Sequence, residues 1–537
     1  MPFPDLQSFI AELERRGQLR RIGVEVDPEL EISAIADRMS KAPCPEGMAG
    51  APPTDPIHGG TGGYGLVFER VRGSSMPCAI NLFGSYERVR IALGCRTFEE
   101  LADRVQKLVK PEPPPTLIGK LKMIPELAKI AGYPPKVVRA GMCQQVVRTD
   151  DLNLLELPVI KCWPHDGGAD DDVIIRAAAR TGSGLPLPTD PPVASSATTG
   201  VPVGRFITLA AIVTQPPPGI EGERNLGMYR IQVTGPRSAI MHCHMHHDGA
   251  RHLRQWTAVG REMPVAIVLG GESVLPYAAT CPLPPTVSEL LFAGFLNGGG
   301  IELVPCKTVP LDVPANAEIV IEGWVDGTRT EREGPFGDHT GFYSLAGPFH
   351  PIRVTAITHR RDPVYPTTIV GLPPMEDYYL GKATERIFLP LLRMIIPDIL
   401  DYSLPRWGAF HNFAFVKIRK EYPYQARRVM SSIWGAGQMA FTKFIVVVDE
   451  DVDVHNEQDV MFHVGANVDP RRDTVIVDGP LDILDHAAPC EGAGSKIGID
   501  ATRKLPGEGV VRDWPRRLEM SAAVRELVER RWREYGL

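Results

Sequence analysis

Between about residues 145 and 330, short apolar and β-branched runs alternate with Gly, Pro and Asn, and this rhythm leaves few folds open. "RFITLAAIVT", "MYRIQVT", "AIMHCHMHH", "PVAIVLGG" and "AEIVIEGWV" each read as a strand, with tight punctuation or short helical segments between them. Several strands at such spacing predict a barrel-like antiparallel sheet. Inside the region, a stretch rich in Pro, Ser and Thr at about 169–203 breaks the rhythm and reads as an inserted loop, predicted to be a lid or a subunit contact.

The flanks differ. Residues up to about 110 alternate helical and extended patterns before "KPEPPP" at 110–115 marks a boundary. The opening "MPFPDLQSFIAELERRGQLRRI" has no apolar core of a leader. It predicts an amphipathic helix with Leu6, Phe9, Ile10 and Leu13 on one face, Asp5 as N-cap and Gly17 as stop. After about 345, "KFIVVVDED" and "DTVIVDG" mix with helical stretches, which predicts another α/β unit. The expected division is 1–115, 116–345, 346–510 and a final helix in 511–537. Val524, Leu527, Val528, Trp532 and Tyr535 share a stripe on that helix, and such a stripe needs a partner, either this chain's body or a neighbouring subunit.

Bulk properties exclude several classes. A net charge of −7 over 537 residues argues against a nucleic-acid binder and offers no basic tail to a membrane surface. No window reaches the ~20 apolar residues of a membrane span. The 9 cysteines form no CxxC pair, so neither a zinc ribbon nor a disulfide framework is indicated, and a reducing cytoplasm is the expected setting. "GGTGGYG" contains a formal GxGxxG from Gly60 to Gly65, but a strand follows it where a dinucleotide fingerprint needs a helix, so a loop is expected. "DEDVDV" fails as a calcium loop because Val454 and Val460 occupy the glycine and glutamate positions. No GxSxG or phosphate-loop motif supports a hydrolase or NTPase.

Three stretches carry chemistry. In "AIMHCHMHHDGARH", read as a strand, Met241, Cys243 and Met245 face a core while His242, His244 and His246 face the other way. Alternate residues on a strand lie roughly 6.5–7 Å apart, so two such histidines could chelate one ion but three could not; lining a cavity is the alternative. In "NLGMYRIQV" the same alternation sets Arg230 opposite an apolar face, toward a cavity or toward solvent. In "EREGPFGDHTGFYS", Glu331, Glu333 and Asp338 sit on a Gly/Pro-stiffened loop after an expected hairpin turn at Asp326-Gly327, either simply solvated or shaped for a task.

Together these stretches, with "TVSELLFAGFL", "CWPHDGG", "GLPPMEDYYLGKATERIFLPLL" and "GSKIGIDATRK", resemble the UbiD family of decarboxylases, which use prenylated FMN. The resemblance implies a mixed α/β chain: an N-terminal α/β domain, a central split β-barrel holding the flavin, and a C-terminal α/β domain with a docking helix. It implies a homo-oligomer, dimer or hexamer, and a flavin prenyltransferase that supplies the cofactor. It implies a divalent ion, usually Mn²⁺ and often with K⁺, bound by Asn225 and Glu289 and completed by His247, with Asp248 the competing position. Flavin contacts carried over are Asn225, Met228, Tyr229, Arg230, His242, Cys243, His244, His247, Asp248, Glu289 and Lys443. The catalytic set is Arg230, gripping the substrate carboxylate through its bidentate fork, Glu333, holding the guanidinium, and Asp338 as proton donor. To donate at neutral pH, Asp338 is expected to have a raised pKa in an apolar pocket. The implied reaction is non-oxidative, reversible decarboxylation of an aromatic or α,β-unsaturated acid, with the flavin as electron sink. The alternatives are an oxidoreductase using unmodified FMN on a similar barrel, and a non-catalytic homologue.

Overall fold

In the computed structural model, the chain is described at residues 2–45, 52–109, 130–169, 172–174, 203–245, 247–283, 287–518 and 520–536. The boundary stretch 110–115, His246 and nearly all of the expected insertion lie outside the described residues.

The first helix, Leu6–Arg15, forms as its sequence predicts. The Asp5 carboxylate accepts the Ser8 N–H at 2.7 Å, the chain leaves the helix through Gly17 at φ +68°, and Leu6, Phe9, Ile10 and Leu13 are all buried. This helix covers a four-stranded sheet ordered Leu19–Val26, Gly65–Val71, Cys78–Ile80 and Tyr365–Pro366. The last of these strands arrives from beyond the central sheet and ties the two layers together. The Gly60–Gly65 stretch is the loop entering Gly65–Val71, and the carbonyls of Gly62 and Gly63 accept from the buried Arg88 guanidinium.

The central sheet runs Ile160–Lys161, Arg205–Ile207, Ile231–Gly235, Ser238–Met241, Gly347–His359, Ala317–Val325, Met263–Gly270, Ala211–Thr214 and Asn225–Met228. Its third and last strands are joined through only Tyr229 and Arg230. Three Cα steps reach ~10 Å, whereas six strand spacings in a flat sheet would separate these strands by ~29 Å. The sheet must therefore curl until its third and last strands nearly meet. Among the described residues its ladder does not close, so the barrel is split, and Tyr229-Arg230 spans the split.

Two strand readings need correction. The histidine strand ends at Met241: His242–His244 are irregular, and the helix Asp248–Ala258 begins a few residues later. Met245, assigned to a core face, is 65% exposed. The dense polar side chains have no facing ladder to join, so alternation stops with the pairing. The Asp326-Gly327 turn makes no hairpin. Ala317–Val325 and Glu331–Glu333 both pair along one edge of Gly347–His359 and run in the same direction, so residues 326–330 bulge out of a continuing edge.

A third sheet, ordered Ile399–Ser403, Phe413–Ile418, Phe444–Val448, Ala493–Asp500 and Thr474–Pro480, carries the helices Gln425–Trp434 and Glu457–Asn467. The chain is thus mixed α/β in three layers, linked by the long helix Glu376–Ile395. No helix among the described residues is long and apolar enough to cross a membrane. The final helix, Ala522–Arg531, buries nothing: Val524, Leu527, Trp532 and Tyr535 are 39–47% exposed.

Candidate active site

Arg230 ends the bridge across the split. Its backbone carbonyl accepts the His242 N–H at 3.1 Å, one residue past the last ladder pair, Ile231 with Met241. That register sets the two side chains beside each other. Glu333 ends its short strand and lies against both. Arg230 grips Glu333 through Nε and Nη2 at 2.8 and 2.9 Å, and His242 Nδ1 lies 2.7 Å from the same carboxylate. The guanidinium's Nη1 reaches Asp338 at 2.8 Å, and Arg230 lies over the Phe336 ring, 4.6 Å from its centroid. The side chains of Arg230 and Asp338 are 9% exposed and that of Glu333 0%, so this is a dry cluster of one cation and two anions.

A neighbouring segment supports the loop that carries the acids. Asp166, in "CWPHDGG", accepts N–H groups from Cys162, Trp163 and Gly337 at 2.8–3.1 Å. Its own burial pushes its pKa up to about 7 against those three donors. Gln232 accepts the Gly334 N–H at 2.8 Å. Gly337 lies so close to Trp163 that a β-carbon would come within 2.1 Å of the indole. Only glycine fits there, which locks the Asp338 loop onto the "CWPHDGG" turn.

Electrostatics revise one expectation. Burial raises the Asp338 pKa, but hydrogen bonding and attraction from His339, together with the Arg230 charge, outweigh it and hold the carboxyl below its usual range. The expected apolar pocket is instead an ion-pair cluster, so in this state Asp338 is a carboxylate. Burial likewise opposes ionisation of Glu333, yet Arg230 and His242 bring its pKa down to about 2. Burial and the Arg230 charge lower His242, so it is neutral and donates from Nδ1 to Glu333. Its Nε2 then accepts from His244 Nε2 at 3.1 Å, a tautomer assignment that follows from the network.

His244 Nδ1 is consequently a buried acceptor with no partner among the described residues. Beside it, His247 stacks on Tyr229, 5.2 Å between centroids. The Tyr229 hydroxyl takes hydrogen bonds from the Asn225 amide at 3.2 Å and from Gly249 N–H at 3.3 Å. Asn225 donates through its nitrogen, leaving its amide oxygen for another group. Glu289, at the start of the helix Glu289–Asn297, accepts the Leu226 N–H at 3.0 Å; burial, with Asp248 nearby, raises its pKa. An amide oxygen and a carboxylate that burial makes costly to charge suit a hard divalent cation. Asp248 pairs with Arg251 at 2.7 Å. The aromatic wall and the orphaned acceptor fit a planar heterocycle. Lys443 stands apart: it pairs with Asp485 at 2.7 Å on the C-terminal sheet, and none of its contacts reaches Asn225, Glu289 or Arg230.

Sequence reasoning missed His339 and His411. His339 Nδ1 lies 2.9 Å from Asp338, and its Nε2 lies 2.8 Å from His411 Nε2. His339 stood inside a quoted motif, but its partner is 72 residues away, a pairing that no local pattern signals.

Fold and site together define an α/β protein with an acid–base cluster at the split of a barrel. Residues 10–108, 199–373 and 378–501 match the N-terminal, Rift-related and C-terminal domains of 3-octaprenyl-4-hydroxybenzoate carboxy-lyase, UbiD. An uncharacterized protein of Aquifex aeolicus is 41% identical over 536 residues, covering 100% of this chain and 99% of its own. The structure is similar to vanillic acid decarboxylase of Sedimentibacter hydroxybenzoicus in closed form, with TM-score 0.79, 25% identity and 100% of both chains covered. It is also similar to the UbiD-class enzyme HmfF of Pelotomaculum thermopropionicum in complex with FMN, with TM-score 0.71, 26% identity, and 95% and 97% of the two chains covered. The chain belongs to the UbiD family.

Proposed function

We propose that the protein is a carboxy-lyase that reversibly and non-oxidatively decarboxylates an aromatic or α,β-unsaturated acid with prenylated FMN. The observation that carries this reading is the Arg230 fork closed on Glu333 while its remaining arm meets Asp338. Glu333 fixes the plane of the guanidinium, so the arm at Nη1 points to one place. An incoming substrate carboxylate competes with Asp338 for that arm through the same charge-assisted bond. Freed from Arg230, Asp338 is placed to deliver a proton to the carbon that CO₂ leaves. The cofactor, when bound, supplies the electron sink for the electron pair left behind.

In this reading Tyr229, His242, His244 and His247, with Met228 and Cys243, wall the flavin. Asn225 and Glu289, completed by His247 or Asp248, would hold Mn²⁺, with K⁺ as a further ion, while Lys443, paired with Asp485 on the C-terminal sheet, drops out of the phosphate contacts. A flavin prenyltransferase supplies the cofactor in the cytoplasm. The likeness to vanillic acid decarboxylase favours aryl acids as the first substrates to test. The protein, co-produced with a flavin prenyltransferase, should yield a cofactor of prenylated mass and release CO₂ from a member of an aryl-acid panel. Asp338→Asn should keep the cofactor and lose turnover. Unmodified FMN in the active enzyme would shift the reading to an oxidoreductase.

A further inference from the structure

The free site holds Asp338 as a carboxylate, and decarboxylation needs it as an acid. We propose that His339 is the proton source that charges Asp338, held for that task by His411. This rests on the decarboxylase reading and adds a step that it lacks.

The geometry is a chain across two layers of the fold. His339 Nδ1 meets Asp338 Oδ1 at 2.9 Å, and its Nε2 meets His411 Nε2 at 2.8 Å. His411 Nδ1 faces Asp482 at 3.9 Å. Asp338 and His339 come from the central layer, whereas His411 and Asp482 come from loops of the C-terminal one. The turn that aims His411 is strained: Ala409 and Phe410 both have positive φ, +47° and +51°. Non-glycine residues adopt that region rarely, and two in succession need a surrounding structure that imposes it. The Phe410 ring lies 5.5 Å from the His339 ring.

The charges that act most strongly on His339 are anionic. Asp338 touches it, Asp377 and Asp482 act on it from two further elements, and Arg230 stands behind Asp338. Burial disfavours the imidazolium, but Asp338, Asp377 and Asp482 together push its pKa up to about 9. His411, buried beside that positive charge, is pushed down to about 4 and so accepts the Nε2 hydrogen. The His339 side chain is 22% exposed, which leaves a route for solvent protons.

When a substrate carboxylate takes the Arg230 arm, Asp338 loses its cation and gains an anionic neighbour. The His339 Nδ1–H bond breaks as the Asp338 O–H bond forms, and imidazolium and carboxylate become neutral imidazole and carboxylic acid. The imidazole keeps its Nε2–H on His411. Asp338 then passes its proton to the vacated carbon, and a solvent proton restores the imidazolium between turnovers. His339 is a positioning residue in this scheme, since it acts only through Asp338.

Two measurements on the prenylated-FMN holoenzyme test it. In kcat/KM against pH, which reports the free enzyme, wild type should lose activity as pH rises through about 9. His339→Gln should lose that alkaline limb and about a hundredfold in kcat, with KM nearly unchanged because Arg230 is untouched. His411→Phe should move the limb to lower pH. An unaltered limb and kcat in His339→Gln would overturn the proposal. The second measurement needs no turnover. In ¹⁵N-histidine NMR of the substrate-free holoenzyme, the His339 signal should titrate well above the other histidines, and Asp338→Asn should bring it down. An ordinary titration in both proteins overturns the relay. Absence of turnover by wild type on every acid, with the NMR shift present, would instead strike the decarboxylase reading.

Discussion

Arg230 can hold two carboxylates because its guanidinium offers separate edges, one filled by Glu333 and one shared with Asp338. Lysine would keep the charge and lose the fork. Arg230→Lys should therefore lower kcat/KM by about a hundredfold or more, measured on any accepted substrate, since each charge-assisted bond is worth ~1.5–3 kcal/mol. Glu333→Ala removes the partner of a buried cation and should destabilise the fold by roughly 3–5 kcal/mol in denaturant unfolding. The His339–Asp338 pair makes a signed prediction. A histidine with a raised folded pKa contributes its stability in full below the unfolded value of 6.5 and loses it as pH rises through about 9. The stability difference between wild type and His339→Gln, from unfolding at a series of pH values, should be largest at about pH 6 and shrink toward about pH 10. A difference that stayed constant across that range would deny the ion pair.

Elements were legible in the sequence to the extent that their stabilisation is local. The helix Leu6–Arg15 carries its cap, its apolar face and its stop within a dozen neighbouring positions, and it forms as read. Strands such as Met263–Gly270 and Ala317–Val325 announce themselves through apolar β-branched runs. Where a partner strand decides, the reading failed: alternation could not show that pairing ends at Met241, nor that Asp326-Gly327 interrupts an edge without turning it back. Burial of Arg230 also depended on distant chain, because alternation left it facing either cavity or solvent. The Asp338 pKa was misjudged because its counter-charges are the neighbouring His339 imidazole, which residue 411 holds in place, and the Arg230 guanidinium from a distant strand. The packing of Gly337 on Trp163 gives this scale its test. Gly337→Ala would place a methyl in contact with the indole and push the Asp338 loop off its support. It should cost activity through a displaced acid while cofactor mass and binding stay unchanged, checked by turnover beside the cofactor spectrum.

At the scale of the whole molecule, the split barrel explains why the site lies where it does. Curling brings the third and last strands of the sheet within reach of a two-residue bridge, and that bridge carries Tyr229 and Arg230. Glu333 arrives at the end of the strand Glu331–Glu333 and Asp338 on the loop beyond it, and the C-terminal layer closes the far side with His411 and Asp482. The last helix and the turn after it leave Val524, Leu527, Trp532 and Tyr535 39–47% exposed. We expect that stripe to dock on a second copy of the chain: removal of residues 521–537 should then give a smaller species in light scattering while leaving the cofactor site intact, and an unchanged mass would assign the stripe elsewhere. The most direct test of the central claim is CO₂ release by the prenylated-FMN holoenzyme in D₂O, measured together with deuterium in the product. The Arg230–Glu333–Asp338 cluster predicts one deuterium at the vacated carbon for each CO₂, and neither with Asp338→Asn. Full turnover by that variant, or no CO₂ from any aryl or unsaturated acid, would contradict it.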